Sequence, residues 1–184
     1  MPRLLIKPEI SRQYLNHLVS GGISMKPIIK EENEIRIIGM EVLTNLVNNS
    51  IPDLWNRFFP RMAEVSHNIN PCVCYGICMN DPDFDIGKFT DDTEFRYIAG
   101  LRVSDFSIVP EGMVTHVLPP QRYAVFTHRG SLQNLRTTYD YIYGAWAAST
   151  DLKICPACDF ELYDNRFNPQ DQENSELDIY VPIE

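Results

Sequence analysis

The chain has 184 residues, 44% of them hydrophobic and 22% charged, which is room for a packed core and excludes wholesale disorder. Sixteen Lys and Arg against 25 Asp and Glu leave a formal net charge of −9, a field that repels phosphate backbones and argues against direct nucleic-acid binding. No segment approaches the ~20 apolar residues of a bilayer span. Lys7, Pro8 and Glu9 end the opening apolar run too early for an export signal, and the five cysteines are an odd number for a disulfide framework. A cytoplasmic location with no membrane partner is therefore expected, with reduced thiols.

Residues 1–24 read as an N-terminal extension with one short amphipathic stretch, Ile10 to Val19, closed by Gly21-Gly22. An upstream start and a docking helix both fit it. From Met25 the elements follow one order. Glu34 to Val42 is β-branched and partly alternating, as in a strand. Ser50-Ile51-Pro52-Asp53 opens a helix, with Ser50 as cap, Pro52 in the first turn and Asp53 completing a capping box. Leu54, Trp55, Phe58 and Met62 then mark its apolar face. A strand is expected from Cys72 to Met79, an acidic loop from Asn80 to Asp92, and a strand from Glu94 to Val103.

The second half repeats the order. A strand from Gln121 to His128 leads to a helix opened by Ser131, whose stripe is Leu132, Leu135, Tyr139, Ile142, Tyr143 and Trp146. Strands from Asp159 to Tyr163 and from Glu176 to Val181 follow, with Pro182 as a stop. Val109 to Pro120 links the halves and holds a short strand of its own. Strand, helix, strand, strand occurs twice at an offset of roughly 80–90 residues. One helix covers one sheet face, so two such units side by side share a core and leave a cleft at their junction. The expected fold is α+β: two tandem β-α-β-β modules with a pseudo-twofold, a mainly antiparallel sheet and a ligand cleft between modules. Repeat one covers about residues 25–105 and repeat two about 110–184.

Alternation in a strand puts Asp159, Glu161 and Tyr163 on one face and Phe160 and Leu162 on the other. If that first face is the cleft, Glu161 is a carboxylate among aromatic rings, costly unless a hydrogen bond or a cation compensates. A half-solvated strand fits the same pattern. Trp55 and Trp146 lie on the helix faces, while Tyr75, Tyr97, Tyr143 and Tyr163 fall in elements that should meet. Rings around a carboxylate suit a lipophilic cation, and the same rings suit a plain core.

The other chemistry-bearing residues carry less. Cys72, Cys74 and Cys78 share a parity, and Cys155-Pro-Ala-Cys158 is a C-x-x-C. Without a second such pair or a histidine at ligand spacing, buried thiols are the better reading, and neither metal nor cofactor is expected. The four histidines are scattered, with His128 placed at a surface turn. Gly39, Gly76 and Gly100 are single glycines in strands, read as bulges or points of close backbone approach.

Ile51-Pro-Asp-Leu-Trp55, Tyr75-Gly-Ile77, Phe95-Arg-Tyr-Ile-Ala-Gly100, Pro119-Pro-Gln-Arg-Tyr-Ala-Val-Phe126, Phe160-Glu-Leu-Tyr163 and Leu177-Asp-Ile-Tyr-Val-Pro-Ile183 occur in an order that resembles the GyrI-like small-molecule-binding domains, also called AraC-type effector-binding domains. The likeness covers about residues 25–184. It implies a pocket between the modules in which Glu161 meets lipophilic cations, with Trp55, Tyr75, Tyr97, Tyr143 and Trp146 around it. It also implies the roles known in the family: drug or effector binding tied to transcription regulation, modulation of gyrase as a protein partner, and, in one branch, hydrolysis of cyclopropane-bearing compounds. For a hydrolase the residues would be Glu161 as general base, aided by Tyr163. The sequence holds no DNA-binding module of the family's regulators, so regulation is expected to run through a partner.

Overall fold

The computed structural model describes residues 25–79, 89–171 and 173–184. The stretch from Ile10 to Val19 and residues 80–88 of the acidic loop lie outside them. Among the described residues eight strands form one sheet: β1 (Ile28–Glu32), β2 (Ile35–Thr44), β3 (Cys74–Met79), β4 (Phe95–Val103), β5 (Val114–Leu118), β6 (Gln121–Arg129), β7 (Asp159–Tyr163) and β8 (Glu176–Ile183). Their order is β1-β6-β8-β7-β3-β4-β2-β5, and every neighbouring pair is antiparallel. Helix α1 (Ile51–Phe58) follows β2, and a second helical segment, α2 (residues 132–149), follows β6. The β-α-β-β order thus occurs twice, the halves meeting where β7 pairs β3. The outer strands are exchanged: β1 precedes the first unit but pairs with β6, and β5 precedes the second but pairs with β2.

That exchange shapes the sheet. β5 lies at one end of the strand order and β6 is next to the other end, yet only Pro119 and Pro120 separate them in sequence. Three peptide steps span at most ~11 Å, so the sheet must curl until its ends approach. The inner face then packs on itself: Ile35, Ile37, Tyr75, Ile77, Ile98, Tyr123, Phe160 and Tyr180 form one buried cluster. The outer face is covered by the helices. Leu54 and Phe58 of α1 pack with Ile38, Tyr97, Ala99 and Leu101, while Ile142 and Trp146 of α2 pack with Phe126, Ile179 and Val181. Tyr163 touches both outer clusters and marks the seam.

Local chemistry departs from the sequence reading in four places. The Ser50 side chain makes no cap bond; Asn49 Oδ1 instead accepts from the Ile51 N–H at 2.9 Å, and Thr44 Oγ1 accepts from the Ser50 N–H at 2.9 Å. Two nearby acceptors outcompete the expected box. α2 is no uniform helix: a 3-10 turn capped by Ser131 Oγ on the Gln133 N–H leads into an α turn, then a π-helical stretch from Tyr141 to Trp146. Pro182 does not end β8. Its carbonyl accepts from the Cys155 N–H at 2.9 Å on the side away from β6, and in a strand a residue's N and C=O point the same way, so the missing N–H costs the β6 ladder nothing. His128 is buried, with Nδ1 2.7 Å from Thr138 Oγ1, since its strand position faces α2.

Candidate functional site

β7 supplies two carboxylates to the helix-covered face. Its register opposite β3 sets Asp159 against Cys78, Glu161 against Gly76 and Tyr163 against Cys74. Glu161 is 5% exposed and accepts three phenol hydrogen bonds. Tyr97 of β4 and Tyr163 of β7 each donate to Oε2 at 2.7 Å, and Tyr139 of α2 donates to Oε1 at 3.1 Å. One donor comes from the first β-α-β-β unit and two from the second. Burial raises the Glu161 carboxyl above its ordinary range, and the bonds from Tyr97, Tyr163 and Tyr139 pull against it. Burial, with the Glu161 charge next, pushes the hydroxyls of Tyr97, Tyr139 and Tyr163 well above the ordinary phenol value, so they remain donors near neutral pH. Among the described residues Glu161 has no Lys, Arg or His as ion-pair partner.

Gly76 makes the arrangement possible. It faces Glu161 across the β3–β7 pair and Ala99 across the β3–β4 pair. A Cβ at this position would overlap the Tyr97 hydroxyl and come within 2.9 Å of Glu161 Oε2. Its place in the strand is one of close approach, with no bulge recorded in the register.

Asp159 sits two residues before Glu161 on the same face, 6% exposed. Tyr143 of α2 donates to its Oδ2 at 2.7 Å, and among the described residues its buried Oδ1 has no hydrogen-bond partner. Burial raises its carboxyl to about 6; the Tyr143 bond, the backbone at Asp159 and the Cys78 thiol oppose the rise, and the Glu161 charge adds to it.

The residues expected around Glu161 are placed unequally. Tyr97 and Tyr163 bond it directly, and Tyr143 bonds Asp159 beside it. Trp55 reaches from α1 to within 5.4 Å of the Tyr163 ring, centroid to centroid, edge to face. Trp146 is on the same side of the sheet but packs on Phe126, with centroids 4.9 Å apart. Tyr75 is not brought to Glu161. Its parity in β3 is opposite to that of Gly76, so it enters the inner cluster, its ring 5.7 Å from that of Phe160. Tyr139 and Asp159 are the site residues the sequence reading left out. Tyr139 stands four residues before Tyr143 on the helix stripe, and Asp159 shares the face of Glu161, so spacing could have found both.

The two cavities described, of about 690 and 150 Å³, lie elsewhere. The first is bounded by β1, β6 and the start of α2, the second by the β5–β6 turn with Ala157 and Cys158. The carboxylates are instead closed over by rings. No helix among the described residues is long and apolar enough to cross a membrane.

Comparison with known proteins places this geometry. The family model described as GyrI-like small molecule binding domain matches residues 25–184. The transcriptional regulator BrlR of Pseudomonas aeruginosa is 37% identical over 160 residues, which are 87% of this chain and 56% of that protein; the chain thus spans little more than half of this curated relative's length. Among solved structures, SAV2435 bound to tetraphenylphosphonium superposes with a TM-score of 0.63 at 15% identity, over 88% of this chain and 94% of that one. A putative transcription regulation protein of Staphylococcus aureus MU50 gives 0.62 at 17% identity, over 88% and 99%. With a family match across nearly all of its described length and the two β-α-β-β units observed directly, the chain belongs to the GyrI-like small-molecule-binding domain family.

Proposed function

We propose that the protein binds lipophilic cations at Glu161, as an effector- or drug-binding module. The observation that carries this reading is a carboxylate, 5% exposed at the seam of the two halves, held by three phenols with no counter-ion among the described residues. Phenol dipoles keep the charge in the interior but do not neutralise it. An entering cation supplies the missing charge, and the rings of Trp55, Tyr139 and Tyr163 offer faces and edges to its apolar body. The fold neighbour whose structure contains tetraphenylphosphonium supports the choice of ligand class. The relation to BrlR supports a link between binding and transcription. The general-base alternative is served by the burial-raised Glu161 carboxyl but draws less support, because both of its oxygens already accept phenol hydrogen bonds.

Calorimetric titration with tetraphenylphosphonium and with neutral triphenylphosphine oxide tests the reading. In Glu161→Gln the phosphonium is expected to bind at least ~30-fold more weakly, the effect of removing one partner of a buried charge pair. The neutral compound should change by less than threefold. Equal losses for both, or no phosphonium binding by the wild-type protein, would refute it.

A further inference from the structure

The two carboxylates of β7 are held in parallel by one helix. Residues two apart in a strand are ~6.6 Å apart, and residues four apart on a helix rise ~6 Å. α2 therefore runs in step with β7: Tyr139 bonds Glu161 at 3.1 Å and Tyr143 bonds Asp159 at 2.7 Å, with the two rings parallel to within 3° and 6.3 Å apart. The rungs are unequally satisfied. Glu161 has three phenol donors, whereas Asp159 has one, with the Cys78 thiol beside it, and among the described residues its buried Oδ1 has no hydrogen-bond partner. Among the described residues the groups facing Asp159 are Cys78 of β3, Tyr143 and Tyr139 of α2, Glu161 on its own strand and the neighbouring Cys158; none of them is a cation. A buried acceptor left unpaired is costly, and an ionised one more so.

We propose that Asp159 is a second acceptor in the same site, and that the site prefers aromatic cations bearing N–H donors, such as a primary ammonium, amidinium or guanidinium, over fully substituted cations of the same shape. This deepens the cation-binding reading of Glu161 and rests on it. Glu161 supplies the charge that any lipophilic cation needs. Asp159 Oδ1 adds a hydrogen bond that only an N–H can complete, which a phosphonium or quaternary ammonium lacks.

A matched pair of probes separates the two ideas: 4-phenylbenzylammonium and its N,N,N-trimethyl derivative, titrated at pH 7.5 into wild-type protein, Asp159→Asn and Glu161→Gln. The quantity read is the ratio of the two affinities, so differences in probe hydration cancel between proteins. Removing the Asp159 charge is expected to lower the ammonium-to-trimethylammonium ratio about tenfold, the scale of a charge-assisted hydrogen bond. Glu161→Gln should weaken both probes. Should Asp159→Asn not fold, Asp159→Ala gives the same ratio test. A ratio within twofold of wild type in the Asp159 variant, with both probes still weakened by Glu161→Gln, overturns the Asp159 assignment and leaves the Glu161 reading standing. Failure of both probes to bind the wild-type protein overturns both readings, and failure of the ammonium alone overturns the Asp159 assignment.

Discussion

At the scale of single residues, Asp159 and Glu161 share a strand, a face and a depth, and differ in their donors. The folded protein holds the Asp159 carboxyl at about 6 against an ordinary 3.8. Between those values the native state keeps a proton that the unfolded chain has released, so stability falls as pH rises through this window and stays lower above it. Asp159→Asn removes the ionisation. It is expected to be more stable than wild type at pH 8 by on the order of 3 kcal/mol, the free energy of a shift of this size, with the gap closing towards pH 4. Urea unfolding at both pH values measures it, and a gap independent of pH would contradict this account. The same proton bears on recognition: below about pH 6 Asp159 becomes neutral, and the advantage of an N–H-bearing probe should fade, with Cys78, Cys158, Tyr139, Tyr143 and Glu161 the groups that face it.

At the scale of elements, the site depends on β3 and β7 meeting at a glycine. The Tyr97 phenol crosses over Gly76 to reach Glu161, and a methyl group there collides with that hydroxyl. Gly76→Ala is expected to cost ~1–3 kcal/mol of stability, as overpacking of a tight interior does, and to break the Tyr97–Glu161 bond. Tetraphenylphosphonium affinity measured on the folded variant should fall with it; unchanged affinity would mean that Tyr97 does not position the carboxylate. α2 is the other element with a specific duty. Its π-helical stretch begins at Tyr141, between the two tyrosines that bond β7, and π segments inside helices recur at functional sites.

At the scale of the whole molecule, the exchanged strands β1 and β5 and the β7–β3 pairing make the two repeats one curled sheet. Glu161 takes donors from both repeats, so a ligand held there stabilises both together. At a hundredfold excess of tetraphenylphosphonium over its dissociation constant, linkage gives ~2.7 kcal/mol. For a domain of this size that corresponds to a rise in Tm of about 5–10 °C. Calorimetry should show one transition moving upward in wild type and a shift of no more than about 3 °C in Glu161→Gln. Two transitions, only one of them moving, would show that the repeats are not a single cooperative unit.

Sequence by itself determined the elements other than β1 and the π-helical stretch of α2, while Glu161 is singled out by the family resemblance and left open by strand alternation. Alternation fixed which residues of β7 share a face, helical spacing fixed the stripe carrying Tyr139 and Tyr143, and the repeated order fixed two β-α-β-β units, because these are periodicities of the local backbone. The tertiary structure alone decided which of the two sheet faces the helices cover. That choice sends Tyr75 into the inner cluster, brings Tyr139 onto Glu161, and leaves Asp159 buried with an unpaired oxygen. Strand parity says which side chains travel together; only the register between strands and the seating of a helix on them say what each side chain meets.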